Sequence, residues 1–309
     1  MASLKARAFA LLLRLSGRRR RYADPNPDPA RFVATRGPEA RPPASMRRRL
    51  RVSWSIHDGS EVCTVVPRGQ ATGLVVLYLH GGAFIHPITR PHWDFIAGMA
   101  ERLGATFVVP LYPLAPEHDC KAVSRFSLRL YRHLLDRYGP SGPILMGDSA
   151  GGGLALSLAM QAVKEGLAQP GALVLLSPWL DLTVSDPAQA AIEPHDVMLM
   201  RPGARAARRW YAGDLPLDDW WVSPLHGELA GLPPVLMFCG TYDILVVDAR
   251  RLAARARREG ADLAYVEEPG LMHVYALMQL PEGRAARARI ASFVRKTTAS
   301  SSGDDHGRR

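Results

Sequence analysis

Apolar residues are distributed along this chain in two alternating patterns. Continuous apolar runs recur near residues 74–79, 106–110, 144–146, 172–177, 235–239 and 263–266. They are too short for helices and lack polar alternation, which predicts strands buried on both faces. Between them, at 93–103, 123–138, 150–164, 248–260 and 284–296, apolar positions return at helical spacing. Strand followed by helix, repeated, predicts an α/β fold with right-handed crossovers and a mostly parallel central sheet flanked by helices. Ahead of this series, strand-like 51–56 and 61–66 are separated by His57-Asp58-Gly59-Ser60, the signature of an antiparallel hairpin. At 309 residues the chain is long enough for one large domain with a well-buried core, and it shows no internal repeat.

Two segments fall outside the alternation. Residues 181–232 carry Pro187, Pro194, Pro202, Pro216 and Pro224 among short helical pieces, including one over 203–210. At the N-terminus, Leu4, Ala8, Leu11, Leu12 and Leu15 share one helical face while Arg7, Arg14 and Arg18 occupy another. That is an amphipathic helix and not a membrane span, because no stretch approaches the roughly 20 apolar residues a span requires. Its leucines need a partner: the insertion, the mouth of a site, a second subunit in a homodimer, or weak peripheral contact with a membrane. Packing leucine face inward, as a cap, is the expectation. An arginine run and the proline-rich 24–29 follow as linker, and the serine-rich, charged tail 297–309 is expected to be disordered.

Candidate chemistry centres on Gly147-Asp148-Ser149-Ala150-Gly151-Gly152, set between an apolar strand and a helix. A serine on such a turn adopts strained backbone angles, so the positions two before and two after it are glycine. This predicts a nucleophile elbow with Ser149 exposed at the top of the sheet. The Ala150 N–H and the positive end of the following helix point at charge developing on a bound substrate. Upstream, the strand 74–79 runs into His80-Gly81-Gly82-Ala83-Phe84, where glycines offer bare N–H donors. Downstream, Asp243 follows the strand 235–239, and His273 lies after the last strand. The order Ser, Asp, His is that of α/β hydrolases. Asp248 competes with Asp243, but its place at a helix start suits a dipole-stabilising role. His195 and His226 compete with His273 and lie in the insertion. Asp148 is read as a partner bracing the loop.

Taken together, "LYLHGGAF", "LYPLAPEH", "GDSAGGGLAL", "SPWLDLT", "GLPPVLMFCGTYDIL" and "MHVY" make the chain resemble the hormone-sensitive-lipase-like carboxylesterases of the α/β-hydrolase fold over roughly residues 60–295. The resemblance implies nucleophile Ser149, acid Asp243, base His273 and oxyanion donors Gly81, Gly82 and Ala150, with no cofactor and no metal. It implies a small-molecule ester substrate of small to medium acyl length, while an amidase, arylformamidase-like or acyltransferase activity on the same scaffold stays open, as does a non-catalytic receptor. It also implies this division: N-terminal cap segment and linker 1–50, core 51–182, cap insertion 183–231, core 232–296, tail 297–309. Within the cap, Met198, Leu199, Met200, Tyr211, Trp220 and Trp221 are candidates to line an acyl pocket. His80 would brace the oxyanion loop. Two departures stand out. Ala83 replaces a glycine, where a left-handed backbone is costly, and Leu111-Tyr112-Pro113 replaces Asp-Tyr-Arg, removing side-chain hydrogen bonds made in relatives.

Charge and cysteine content change this picture little. The formal net charge of +10 is dominated by arginines scattered over helical positions. Without a recognition motif or interleaved aromatics this is a solvated basic surface, not a nucleic-acid site. Cys63, Cys120 and Cys239 are odd in number and scattered, which suits buried thiols in a cytoplasmic protein. His80, His86, His92 and His118 lack metal-ligand spacing.

Overall fold

The computed structural model describes residues 2–17, 19–20, 23–69, 71–139 and 142–303. Its strands are β1 (Leu50–His57), β2 (Ser60–Pro67), β3 (Val75–Leu79), β4 (Thr106–Pro110), β5 (Ile144–Asp148), β6 (Leu173–Leu176), β7 (Val235–Tyr242) and β8 (Leu263–Met272). They form one sheet in the order β1-β2-β4-β3-β5-β6-β7-β8. The hairpin β1–β2 is antiparallel and joins β4 antiparallel, while β4, β3 and β5 to β8 run parallel. β3, β5 and β6 are buried along their whole length, as continuous apolar runs require of strands covered on both faces.

The helices are α1 (Leu4–Leu15), α2 (Pro29–Thr35), α3 (Ala44–Arg49), α4 (Arg90–Leu103), α5 (Cys120–Tyr138), α6 (Ala150–Lys164), α7 (Ala188–Ile192), α8 (Arg201–Ala212), α9 (Val246–Glu259) and α10 (Pro281–Gly303). Alternate strand residues divide between two cores. Leu77, Leu79, Leu145, Leu175 and Met237 face α5, α6 and α9. Val76, Tyr78, Met146, Val174 and Phe238 face α4 and α10. Between β6 and β7 the chain leaves the sheet to form α7 and α8, the expected insertion. Strand order reverses beside β3, and the crevice beyond the carboxyl ends at such a reversal is where open α/β sheets take ligands. There, the loop after β3 meets the turn after β5.

Three expectations change. The C-terminal helix continues through Gly303 rather than giving way to an irregular tail at Thr297, and residues 304–309 lie outside the described residues. The linker contains two short helices, α2 begun by Pro29 behind an Asp28 cap, and α3. Helix α1 forms, but turned the other way: Ala6 is buried, Phe9, Ala10 and Leu13 pack on the core, and Leu4, Leu11, Leu12 and Leu15 face solvent. Arg18, part of the expected basic face, lies outside the described residues. Among the described residues, no helix is long and apolar enough to cross a membrane. The three cysteines are buried and free.

Candidate active site

Ser149 sits between the last residue of β5 and the first of α6, with φ 54° and ψ −123°. This is a left-handed strain that a non-glycine residue adopts only when its surroundings enforce it. The flanking glycines are required by contact. A Cβ on Gly147 would lie 2.3 Å from the Gly151 carbonyl oxygen, and one on Gly151 2.1 Å from that of Leu79. Strand and helix thus touch backbone to backbone. Contrary to expectation, Ser149 is not exposed: it is 8% accessible, enclosed by the loops above the sheet.

The Ser149 hydroxyl lies 2.9 Å from His273 Nε2, and His273 Nδ1 lies 2.8 Å from Asp243 Oδ2. A carboxylate only accepts, so Nδ1 carries the proton toward Asp243 and Nε2 presents its lone pair to the serine. Asp243 is fully buried at the end of β7 and accepts a further hydrogen bond from the Leu245 N–H at 3.0 Å through Oδ1. His273 directly follows β8, and the Val274 N–H anchored on Ser177 Oγ at 3.0 Å fixes its loop. Burial favours the neutral imidazole, but the adjacent Asp243, with Asp196 and Asp148 behind it, outweighs burial and raises the His273 pKa above its ordinary value.

The rival residues are engaged elsewhere. Asp248 bonds Arg251 and Gln189. Burial, with Asp181 beside it, pushes its carboxyl up to about 7. His195 stacks on Tyr242. His226 lies 3.7 Å from Asp181, which gives a second imidazole–carboxylate pair. That Asp181, however, is held by Thr183 and Arg251, and the imidazole hydrogen-bonded to Ser149 is that of His273. Cys239 lies in β7 with its thiol toward Asp243 Oδ2 at 3.5 Å, and burial, reinforced by that carboxylate, drives its pKa far up.

The loop after β3 is braced from below. Asp148 is buried, and its carboxylate accepts from Tyr78 Oη at 2.6 Å and the Gly81 N–H at 3.0 Å, with His92 Nε2 at 3.3 Å. Burial raises its pKa, but His92 and the hydrogen bonds outweigh that and leave it below the usual carboxylate value. The Gly81 N–H is therefore spent on Asp148, which corrects its expected place among the oxyanion donors. Among the described residues, no protein group accepts from the N–H of Gly82, Ala83 or Ala150. Ala83 and Phe84 hold φ of 54° and 63°, so the left-handed backbone is adopted despite the missing glycine. Phe84 stacks on Tyr211 of α8 with centroids 3.6 Å apart, which locks the strained turn under the cap. Tyr112 keeps a structural hydrogen bond, donating to the His80 carbonyl at 2.6 Å, and stacks on the His80 ring. His80 Nδ1 lies 2.7 Å from the Gly81 carbonyl, as a bracing role requires. Burial, with His92 beside it, holds its pKa down at about 4, so the ring is neutral at physiological pH.

Asp196 is a site residue that the sequence did not signal. It comes from the cap insertion and is 1% exposed. Oδ1 accepts from the N–H groups of Met198 and Leu199, both at 2.8 Å, and Oδ2 from the Ile244 N–H at 3.0 Å. It thus ties the cap to the loop that carries Asp243. Burial and the neighbouring Asp243 push it up to about 6. The only local hint was its turn-forming spacing to Met198 and Leu199, because its decisive partner lies 48 positions away.

Comparison with known proteins agrees with this geometry. A profile of the alpha/beta hydrolase fold matches residues 76–277. An acetyl-hydrolase of Streptomyces hygroscopicus is 34% identical over 76% of this chain and 81% of its own length. A triacylglycerol lipase of Mycobacterium tuberculosis is 35% identical over 74% of this chain, which spans only 47% of that longer relative. Among solved structures, an esterase of the bacterial hormone-sensitive lipase family superposes with a TM-score of 0.81 at 28% identity, covering 96% of this chain and 99% of its own.

Proposed function

The chain is a serine hydrolase of the α/β-hydrolase family, related to the hormone-sensitive-lipase-like carboxylesterases, and on that premise we propose that Ser149, His273 and Asp243 cleave small to medium acyl esters. His273 Nε2 takes the proton of Ser149 as its oxygen attacks the ester carbonyl. Asp243 holds the tautomer and stabilises the imidazolium. The carbonyl oxygen, now negative, accepts from the N–H groups of Gly82, Ala83 and Ala150, three donors with no other acceptor among the described residues. Collapse expels the alcohol, which leaves with the proton from His273. Water then repeats the sequence on the acyl-serine and regenerates the enzyme.

The observation that carries this reading is the continuous hydrogen-bonded line from Ser149 through His273 to Asp243. The low accessibility of Ser149 and the acetyl-hydrolase relative favour short acyl groups. Three buried free thiols support a reducing, cytoplasmic setting. Hydrolysis of p-nitrophenyl esters from two to twelve carbons, with matched amides and an added alcohol acceptor, separates esterase from amidase and acyltransferase. Ester turnover falling with acyl length is the expected outcome. The Ser149→Ala variant should lose on the order of 10⁴- to 10⁶-fold in kcat, as loss of a triad member does, and an organophosphonate should label Ser149. Retention of more than about a hundredth of the activity, or labelling elsewhere, would refute the nucleophile assignment.

A further inference from the structure

The leucine ridge of α1 is an unusual surface for a folded chain. Leu4, Leu11, Leu12 and Leu15 are 79, 57, 64 and 74% exposed, and at 100° per residue they fall, with Ala8, on one face. The helix cannot turn to hide them, because its opposite face is already docked. Ala6 is buried, and Phe9, Ala10 and Leu13 pack on the core. The Ser3 N–H and hydroxyl bond Glu282 at the start of α10 at 2.6 and 3.1 Å. Arg14 donates to the Pro194 carbonyl at 3.3 Å.

The charges around the ridge identify what covers it. Lys5 flanks the leucines on one side and Arg7 and Arg14 on the other, all three exposed. Arg19 and Arg20 follow, and residues 1–23 contain no Asp or Glu. A second copy of this face would set cation against cation. A surface of anionic headgroups over acyl chains would satisfy both at once: leucines enter the headgroup boundary and the basic rims meet the phosphates. We propose that α1 is an in-plane docking helix for anionic lipid bilayers. The proposal stands apart from the esterase reading, since it needs neither Ser149 nor turnover.

The location gives the docking a use. Arg7, Leu11 and Arg14 border a groove of about 200 Å³ whose other wall includes Val197 and Met272, neighbours in sequence of Asp196 and His273. Docking on α1 therefore sets the carboxyl edge of the sheet, with its acid and base loops, against the bilayer. An esterase held there meets substrates that partition into the membrane.

The test is flotation of the 309-residue chain with phosphatidylcholine vesicles, with and without 30 mol% phosphatidylglycerol. Binding is expected only to the anionic vesicles, falling as salt is raised from 50 to 500 mM. A Leu11→Ser/Leu15→Ser double variant, whose side chains are mostly exposed, should bind about tenfold or more weakly. It should still hydrolyse a water-soluble acetyl ester within about twofold of the parent, a measure of intact folding. Absence of binding to anionic vesicles at millimolar lipid, or equal binding by the double variant, overturns the proposal. So does a parent dimer in analytical ultracentrifugation that the double variant converts to monomer, because a second copy then covers the ridge.

Discussion

His273 is buried among carboxylates, and its basicity reflects two opposed effects. Burial lowers its pKa, while the charge and hydrogen bond of Asp243, together with Asp196 and Asp148, raise it, and the carboxylates prevail. Only the neutral ring can accept the Ser149 proton. kcat/KM should therefore rise with pH through an inflection above the ordinary histidine value of about 6.5. Asp196 supplies part of that shift. Its charge, close to that of Asp243, favours the protonated imidazole. Asp196→Asn removes its charge and sets an amide against the Ile244 N–H that Oδ2 now accepts. The variant should show an inflection moved down toward the ordinary value. It should also lose roughly 1.5–3 kcal/mol of stability with that charge-assisted hydrogen bond. Rate profiles from pH 5 to 9 alongside urea unfolding separate the two effects. Lower stability with an unmoved inflection would reduce Asp196 to a tether. This residue also marks where sequence reading stops. Ser149, Asp243 and His273 sit beside glycine turns and strand ends that announce them, and Asp148 is legible as a loop brace from its place in the elbow, whereas Asp196 depends on a partner 48 positions away.

At the scale of elements, the backbone contact of β3, β5 and α6 sets the tolerance of the fold to change. A Cβ on Gly151 would meet the Leu79 carbonyl, in the parallel ladder between β3 and β5, at 2.1 Å and the His80 carbonyl, held by Tyr112, at 2.5 Å. Gly151→Ala should destabilise the protein by about 2–3 kcal/mol or more and displace Ser149. Gly98 in the middle of α4 has nothing within 4 Å of its would-be Cβ. Gly98→Ala should therefore stabilise by about 0.5–1 kcal/mol through helix propensity. Urea unfolding of both variants checks the contrast, and equal effects would contradict the close approach at the elbow. The buried strands and long helices were legible because period and length coincide there with burial on a regular sheet. α1 was harder. With Ala6, Phe9 and Leu13 on one side and Leu4, Leu11 and Leu15 on the other, both faces are apolar, so periodicity found the helix but selected the outward face. The short α2 and α3 lie in a proline-rich stretch whose helices are set by Asp28 and by packing of Met46, not by any repeat.

Across the whole molecule, the N-terminal helix, the cap and the acid loop form one mechanical series. Arg14 and Arg19 hold the carbonyls of Pro194, Glu193 and Leu199. Asp196 within that segment holds Ile244, the neighbour of Asp243. Ser149 stands apart from this series, fixed by β5, α6 and the Asp148 network. Deleting residues 1–21 should therefore weaken the cap and the acid loop while leaving the nucleophile in place. The truncated protein should still be labelled at Ser149 by an organophosphonate, but slowly. Its kcat/KM should fall by about 10- to 100-fold, the scale expected of displacements near 1 Å at a catalytic group. KM for longer acyl esters should rise more than for acetyl esters if the cap holds the acyl group, because the cap segment tied by Arg14 and Arg19 loosens. Steady-state kinetics on two- and eight-carbon esters in detergent-free buffer decide the matter without any membrane present. Unchanged constants for both esters would show that α1 stands outside the catalytic unit, and would leave its exposed leucines as its only contribution.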